Sequence, residues 1–293
     1  MSELYIIKEE TLTSIADNIR EKTGKTDSIS PDDMASGVNE VYESGKTAQN
    51  NEWWDAYLAQ MRAGRPNNYL FAGSGWNGNT FYPNQDIIVT ENAQGLFNRF
   101  SWNSNVPIID LAQRLEECGV ILDFSQAAGI SSIFEHCWVT RLPLLNFNST
   151  KFVALSSIFA NAKYLQTIDE FIIRNDGSNT FSKSFDGCTA LKNITITGVI
   201  GRNISFSNCP LTVKSMKSII FCLKNYAGIT DDSGNSLEHS QTLTLKASCV
   251  TELEASEFTD EDKEWLSENG MEYTDELTWT TVIDNLKWNL VSA

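Results

Sequence analysis

The apolar positions of this chain follow one period at its start and another through its middle. Leu12, Ile15, Ala16 and Ile19 recur at helical spacing, which predicts an amphipathic helix. TGKTDS, residues 23–28, interrupts that pattern. SPDDM then predicts a second helix start, because Ser30 can cap, Pro31 suits the first turn, and Asp32 and Asp33 face the positive helix end. Met34, Val38 and Val41 form the apolar stripe of that helix. Two short helices bury too little surface to stand alone. Leu12, Ile15, Ile19, Met34, Val38 and Val41 are therefore expected to dock on the rest of the chain, on sister chains or on a larger assembly. ESGKTAQNN, residues 43–51, is a polar linker. It leads into NEWWDAYLAQM, where Trp53, Trp54, Tyr57, Leu58 and Met61 predict a third helix.

From about residue 95 the pattern changes. SSIF occurs at 131–134 and again at 156–159, and Phe134, Phe159, Phe185 and Phe206 are spaced by 25, 26 and 21 residues. A small residue follows each phenylalanine by three: Cys137, Ala162, Cys188 and Cys209. Leu165 and Ile168 follow Ala162 by three and six, as Leu191 and Ile194 follow Cys188. In the first unit the equivalents, Val139 and Leu142, come one residue earlier. ILDFS (121–125) and LLNFN (144–148) echo each other ahead of the two SSIF copies. A period of 20–29 residues with L-x-x-[LI] signals predicts a leucine-rich-repeat-like solenoid, each unit giving one strand and one turn. The expected fold class is α+β: a short N-terminal helical hairpin followed by an irregular solenoid of this kind with capping elements. Alanine stands in register with three cysteines, so Cys188 is expected to fill space beside a neighbouring coil and not to act as ligand or nucleophile.

After the repeats, TVKSMKSIIFCL predicts a capping helix and QTLTLK a strand. TDEDKEWL opens with a capping box of Thr259 and Asp262. ELTWTTVIDNLKWNLVSA predicts terminal strands or a short helix. The expected organisation is a helical attachment segment at 1–45, a linker helix with a Gly/aromatic-rich connection at 46–92, repeats at 93–212 and a capping region at 213–293.

Charge narrows the function classes. Lys and Arg number 22 against 38 Asp and Glu, a net charge of −16, which repels nucleic acid and anionic membranes. The sequence has no stretch with the apolar length of a membrane span. MSELYIIKEETL has no basic leader, which predicts synthesis and folding in a reducing cytoplasm. The six cysteines then read as buried thiols, not disulfides. With no CxxC and only His136 and His239, far apart, no metal site and no cofactor are expected.

GSGWNG (73–78) matches G-x-G-x-x-G, but NTFYP follows and cannot start the helix that a dinucleotide site needs. It reads as a tight turn carrying Trp76. No GxSxG or HExxH occurs. Asp123, Asp169 and Asp186 read as turn or solvated-face residues, and DDSGN (231–235) as a polar turn lacking the order of a calcium loop. The chain is expected not to be an enzyme. Trp76, Trp102, Trp138 and Tyr164 are the candidate binding residues, because an aromatic face stacks on the C–H face of a sugar ring. Packing is the competing role for each.

The stretches SSIFEHC, SSIFANA, SFDGCTALKNITITG, SFSNCPLTVKSMKSII and TLTL with TDEDKEWL resemble BspA-like leucine-rich repeats. ETLTSIADNIREKTGKTDSISPDDMASGVNEVY is similar to helical segments that open tail-associated proteins of phages and prophages from Gram-positive gut bacteria. WWDAY with NNYLFAGSGWNGNTFYP looks like the piece between those two parts. Together the resemblance covers nearly the whole chain, with units fewer and more irregular than in a clean repeat array. It implies a virion protein, a tail fibre or receptor-binding protein. Its N-terminus would meet other tail or baseplate proteins and its repeats a host glycan or protein. Such proteins are oligomeric, and a trimer is expected. The alternatives are a purely structural tail component, a bacterial adhesin with leucine-rich repeats, or a polysaccharide depolymerase.

Overall fold

The computed structural model describes residues 16–21, 81, 83, 86–90, 92–101, 108–152 and 154–293. The chain divides into two compact units, Met1–Leu58 and Ala59–Ala293. In the first, residues 16–21 are helical and bury Ala16 and Ile19, as the apolar spacing predicts. Leu12, Ile15, Met34, Val38 and Val41 lie outside the described residues.

Parallel strands dominate the second unit. β1 (Ile87–Ile88) pairs with β3 (Leu122–Asp123). β2 (Ile109–Asp110), β4 (Val139–Asn146), β5 (Thr167–Ile172) and β6 (Asn193–Thr197) form a four-stranded sheet in that order. β7 (Ile204–Phe206), β8 (Gln241–Leu245) and β9 (Trp288–Ser292) form a third sheet, again parallel. Parallel neighbours need a crossover between them. Between β4, β5 and β6 the crossover is the stretch with the phenylalanine and the small residue.

These crossovers stack on one another. In each, the amide three residues after the phenylalanine donates back to its carbonyl: Cys137 to Phe134, Ala162 to Phe159, Cys188 to Phe185 and Cys209 to Phe206. That closes a tight turn whose small side chain points inward, and all four are fully buried. Backbone amides also bridge successive turns. Phe97 donates to Ile133, Phe134 to Ile158 and Phe159 to Ser184, at 2.8, 2.7 and 3.0 Å. The residues two before and two after each of these phenylalanines have positive φ: Gly95 and Arg99, Ser132 and His136, Ser157 and Asn161. The unusual backbone repeats because every unit must offer its amides to the next, which satisfies groups that burial would otherwise orphan.

The core is a column of phenylalanines. Phe97 stacks on Phe134 (5.2 Å, 14°), Phe134 on Phe159 (5.9 Å, 10°) and Phe159 on Phe185 (5.3 Å, 28°), and Phe206 continues it at 4.4 Å. A second row, Phe124, Phe147 and Phe171, runs alongside at 4.9 and 5.5 Å.

Two helices shape the surface of this stack. α1 (Leu111–Cys118) interrupts what would be one strand. β2 aligns with the start of β4, Ile109 with Val139, while β3 packs against β4 without pairing to it. The helix begins where Asp110 accepts the Gln113 amide and stops at Gly119, which is left-handed at φ 66°. α2 (Val213–Phe221), capped by Thr212, runs along the far edge of the sheet. Its Ser215 and Ser218 hydroxyls accept the Ile194 and Ile196 amides of β6 at 2.9 and 3.0 Å. An open strand edge is thereby covered.

Between β8 and β9 come α3 (Ala247–Glu254), α4 (Asp260–Glu268) and α5 (Trp279–Asn285). Both bonds of the capping box at Thr259 and Asp262 form. Buried Asp262 also pairs with Lys217 of α2 at 2.5 Å, and the Lys217 ammonium lies over the Trp279 ring.

Candidate functional site

Two partly exposed aromatic residues of the repeat region stand together at one place. β4 and β5 pair Arg141 with Thr167, so Trp138 and Tyr164, each three residues earlier, stand side by side. Their rings are 5.1 Å apart and edge-on at 71°. Both are half-buried. Lys163 reaches over the pair, its ammonium 5.5 Å from the Trp138 ring and 5.0 Å from the Tyr164 ring. Ile108 precedes Ile109, the partner of Val139, and is 37% exposed. Three neighbouring strands are thus each preceded by a partly exposed apolar or aromatic side chain.

The local backbone is stiff. The Trp138 amide donates to Phe100 at 2.9 Å and its carbonyl accepts from Ile109 at 3.4 Å. The Gln166 amide, just past Tyr164, donates to Thr140 at 2.8 Å. The one-residue offset of the SSIFEHC unit has a consequence here. Trp138 follows its small residue by one and Tyr164 by two, and the shorter spacing restores the register between them. Aromatic rings held this way lose little conformational freedom on meeting a ligand.

A second feature lies farther along β4. Where α1 leaves the sheet, no strand among the described residues pairs with Pro143 or Leu144 on that side. An open groove of about 460 Å³ remains, with Leu115, Glu116, Val120, Ile121 and Asp123 on one wall and Arg141, Pro143, Leu144 and Asp169 on the other. Ile121 is 59% and Leu144 44% exposed. Arg141 donates to Asp169 at 2.7 Å, and Asp123 accepts from the Ser125 amide and hydroxyl.

Trp76 and Trp102 lie outside the described residues. Lys163, Ile121 and Leu144 had no part in the candidate set read from the sequence. A signal for Leu144 existed, because β4 buries Val139, Leu142 and Leu145 and so leaves Leu144 on the solvent side.

The cysteines are free thiols. Burial pushes Cys188 up to about 12 and Cys222 up to about 11, and raises Cys137 and Cys209 as well. Such thiols are not nucleophiles at neutral pH. The Cys188 thiol donates to the Phe159 carbonyl at 3.0 Å, as packing against the next turn requires. Cys188→Ala should cost about 1 kcal/mol at pH 7, measured by urea unfolding in reductant. The buried thiol also makes stability fall with alkali. Its contribution is full below its ordinary value of 9.0 and is lost as pH rises through about 12. The gap between wild type and Cys188→Ala should therefore shrink across that window, and a constant gap would show that the thiol does not titrate there.

Among the described residues, no group of three or more His, Cys, Asp or Glu side chains is placed to hold a metal ion, and no helix is long and apolar enough to cross a membrane. Compared with protein-family models, with curated proteins and with solved structures, the chain matches none.

Proposed function

We propose that this chain is a non-enzymatic receptor-binding or adhesion protein of a phage tail. Its N-terminal helices attach to the tail or baseplate, and its repeat region is an irregular leucine-rich-repeat-like solenoid that meets the host surface. The observation that carries this reading is the pairing of half-buried Trp138 and Tyr164 just ahead of adjacent parallel strands, bridged by Lys163. Isolated surface aromatics are ordinary. Two in register, on a backbone fixed by hydrogen bonds to both neighbours, make a rigid, angled aromatic pair, either ring of which can stack on a sugar ring. Parallel stacking supports the solenoid reading, because each turn touches mainly the turns before and after it.

The test is decoration of cells from a panel of Gram-positive gut bacteria by the fluorescently labelled full chain. Wild type is expected to label at least one strain. Truncating an aromatic anchor removes about 2 kcal/mol or more of binding, so Trp138→Ala with Tyr164→Ala should weaken labelling at least about a hundredfold while circular dichroism stays unchanged. Labelling of no strain, or equal labelling by the folded double variant, would sink the proposal. The first result would favour a purely structural tail component.

A further inference from the structure

The groove between α1 and β4 is separate from the aromatic pair, and its chemistry selects a different ligand. We propose that it docks a polypeptide segment carrying an aliphatic or aromatic side chain beside a lysine or arginine. The apolar part of the argument rests on Leu115, Val120, Ile121, Pro143 and Leu144, which line a cleft open to water. Leu144 and Ile121 are among the few large apolar side chains that the described surface exposes. Both line the groove that α1 and β4 border. Pro143 sits in the same gap and has no amide to donate, so the strand cannot recruit a further β-neighbour at that residue. The groove therefore recognises side chains more readily than an added strand.

The charged part selects sign. Among the described lining residues, Glu116, Asp123 and Asp169 face one cation, Arg141, which Asp169 already engages. Asp86 adds a carboxylate at the same rim, where it accepts the Ile121 amide at 3.0 Å. Glu116 and Asp123 have no cation opposite them among the described lining residues, and the low-dielectric apolar surface beside them strengthens their field. An anionic lipid or nucleic acid is repelled. A second copy of this chain, at −16, brings like charge. A neutral glycan finds no aromatic face among the lining residues. A segment with a cation next to an apolar side chain satisfies both halves: the apolar group covers Leu144 and Ile121, and the cation sits between Glu116 and Asp123.

The experiment pans a random peptide library on the immobilised full chain, with counter-selection on Leu144→Ser. That variant changes no charge, and its exposed site leaves folding intact. Peptides that place lysine or arginine within two positions of an aliphatic or aromatic residue are expected. Fluorescence anisotropy of the selected peptides should show binding at least about tenfold weaker to Leu144→Ser, and similarly weaker to Glu116→Gln with Asp123→Asn. Binding should also weaken as salt rises. Trp138→Ala with Tyr164→Ala should bind these peptides normally, so failure of the aromatic pair and failure of the groove are read apart. Three results would each overturn the proposal: no peptide that separates wild type from Leu144→Ser, selected peptides without basic residues, or a polysaccharide or self-association signal that Leu144→Ser abolishes.

Discussion

Phe159→Ala should be among the most damaging single truncations in the chain. The ring is fully buried and touches three others: Phe134 at 5.9 Å, Phe185 at 5.3 Å and Phe171 at 5.6 Å. Two of these contacts are stacked and the third is edge-on. Removing a buried phenylalanine costs about 3–5 kcal/mol through lost transfer and the cavity left behind. Each aromatic pair adds about 0.5–1.5 kcal/mol, so the upper end of that range applies. The backbone resists collapse into the cavity, because the Phe159 amide is fixed to the Ser184 carbonyl and the Asn161 amide to Asp186. Against a typical total of about 5–15 kcal/mol, the loss is large. Urea unfolding should show the midpoint falling with the slope unchanged. A cost near that of Cys188→Ala would mean that the column is not the core.

The column was legible because its spacing is nearly constant. Phe134, Phe159, Phe185 and Phe206 were identifiable from period alone, as was the exchange of cysteine with alanine. Phe97 was not, although it belongs to the same stack. It precedes Phe134 by 37 residues, since that turn contains α1 as an insertion. The helix had its own signals, Asp110 as cap, then Leu111, Ala112 and Leu115 at helical spacing, then Gly119. A search for a 25-residue period passes over them. The three parallel strands β7, β8 and β9 were only partly readable, because long helical connections separate them and hide their pairing.

The candidate site divides in the same way. Trp138 and Tyr164 were individually visible as aromatics outside the core pattern. Their partnership depends on strand register, which a one-residue slip would destroy. Lys163 joins them through the geometry of the turn. The groove was not legible, because it is a gap. It exists only where β2 and β3 part around α1, and sequence patterns describe what fills space, not what leaves it open.

Gly198→Ala should cost about 3–4 kcal/mol, combining backbone strain with steric overlap. The chain leaves β6 at Gly198 with φ at 117°, and an added Cβ would lie 2.3 Å from the Ile173 carbonyl oxygen and 2.8 Å from its Cγ1. Neither atom can yield easily. Ile173 is buried at the end of β5, and its amide is fixed to Thr197 at 2.8 Å. Gly228→Ala supplies the comparison. Gly228 also has positive φ, at 70°, but nothing lies within 4 Å of its would-be Cβ, so only strain of about 1–2 kcal/mol applies. The excess cost of Gly198→Ala over Gly228→Ala combines the overlap with Ile173 and the greater strain at φ 117°. If Gly198→Ala proves as mild as Gly228→Ala in urea, β5 and β6 do not meet as tightly as the Ile173 contact requires. The half-buried pair Trp138 and Tyr164 precedes β4 and β5 of the same sheet. If the chain labels host cells as proposed, Gly198→Ala should lower the temperature at which that labelling is lost without altering it at low temperature, which separates the scaffold from the surface that it displays.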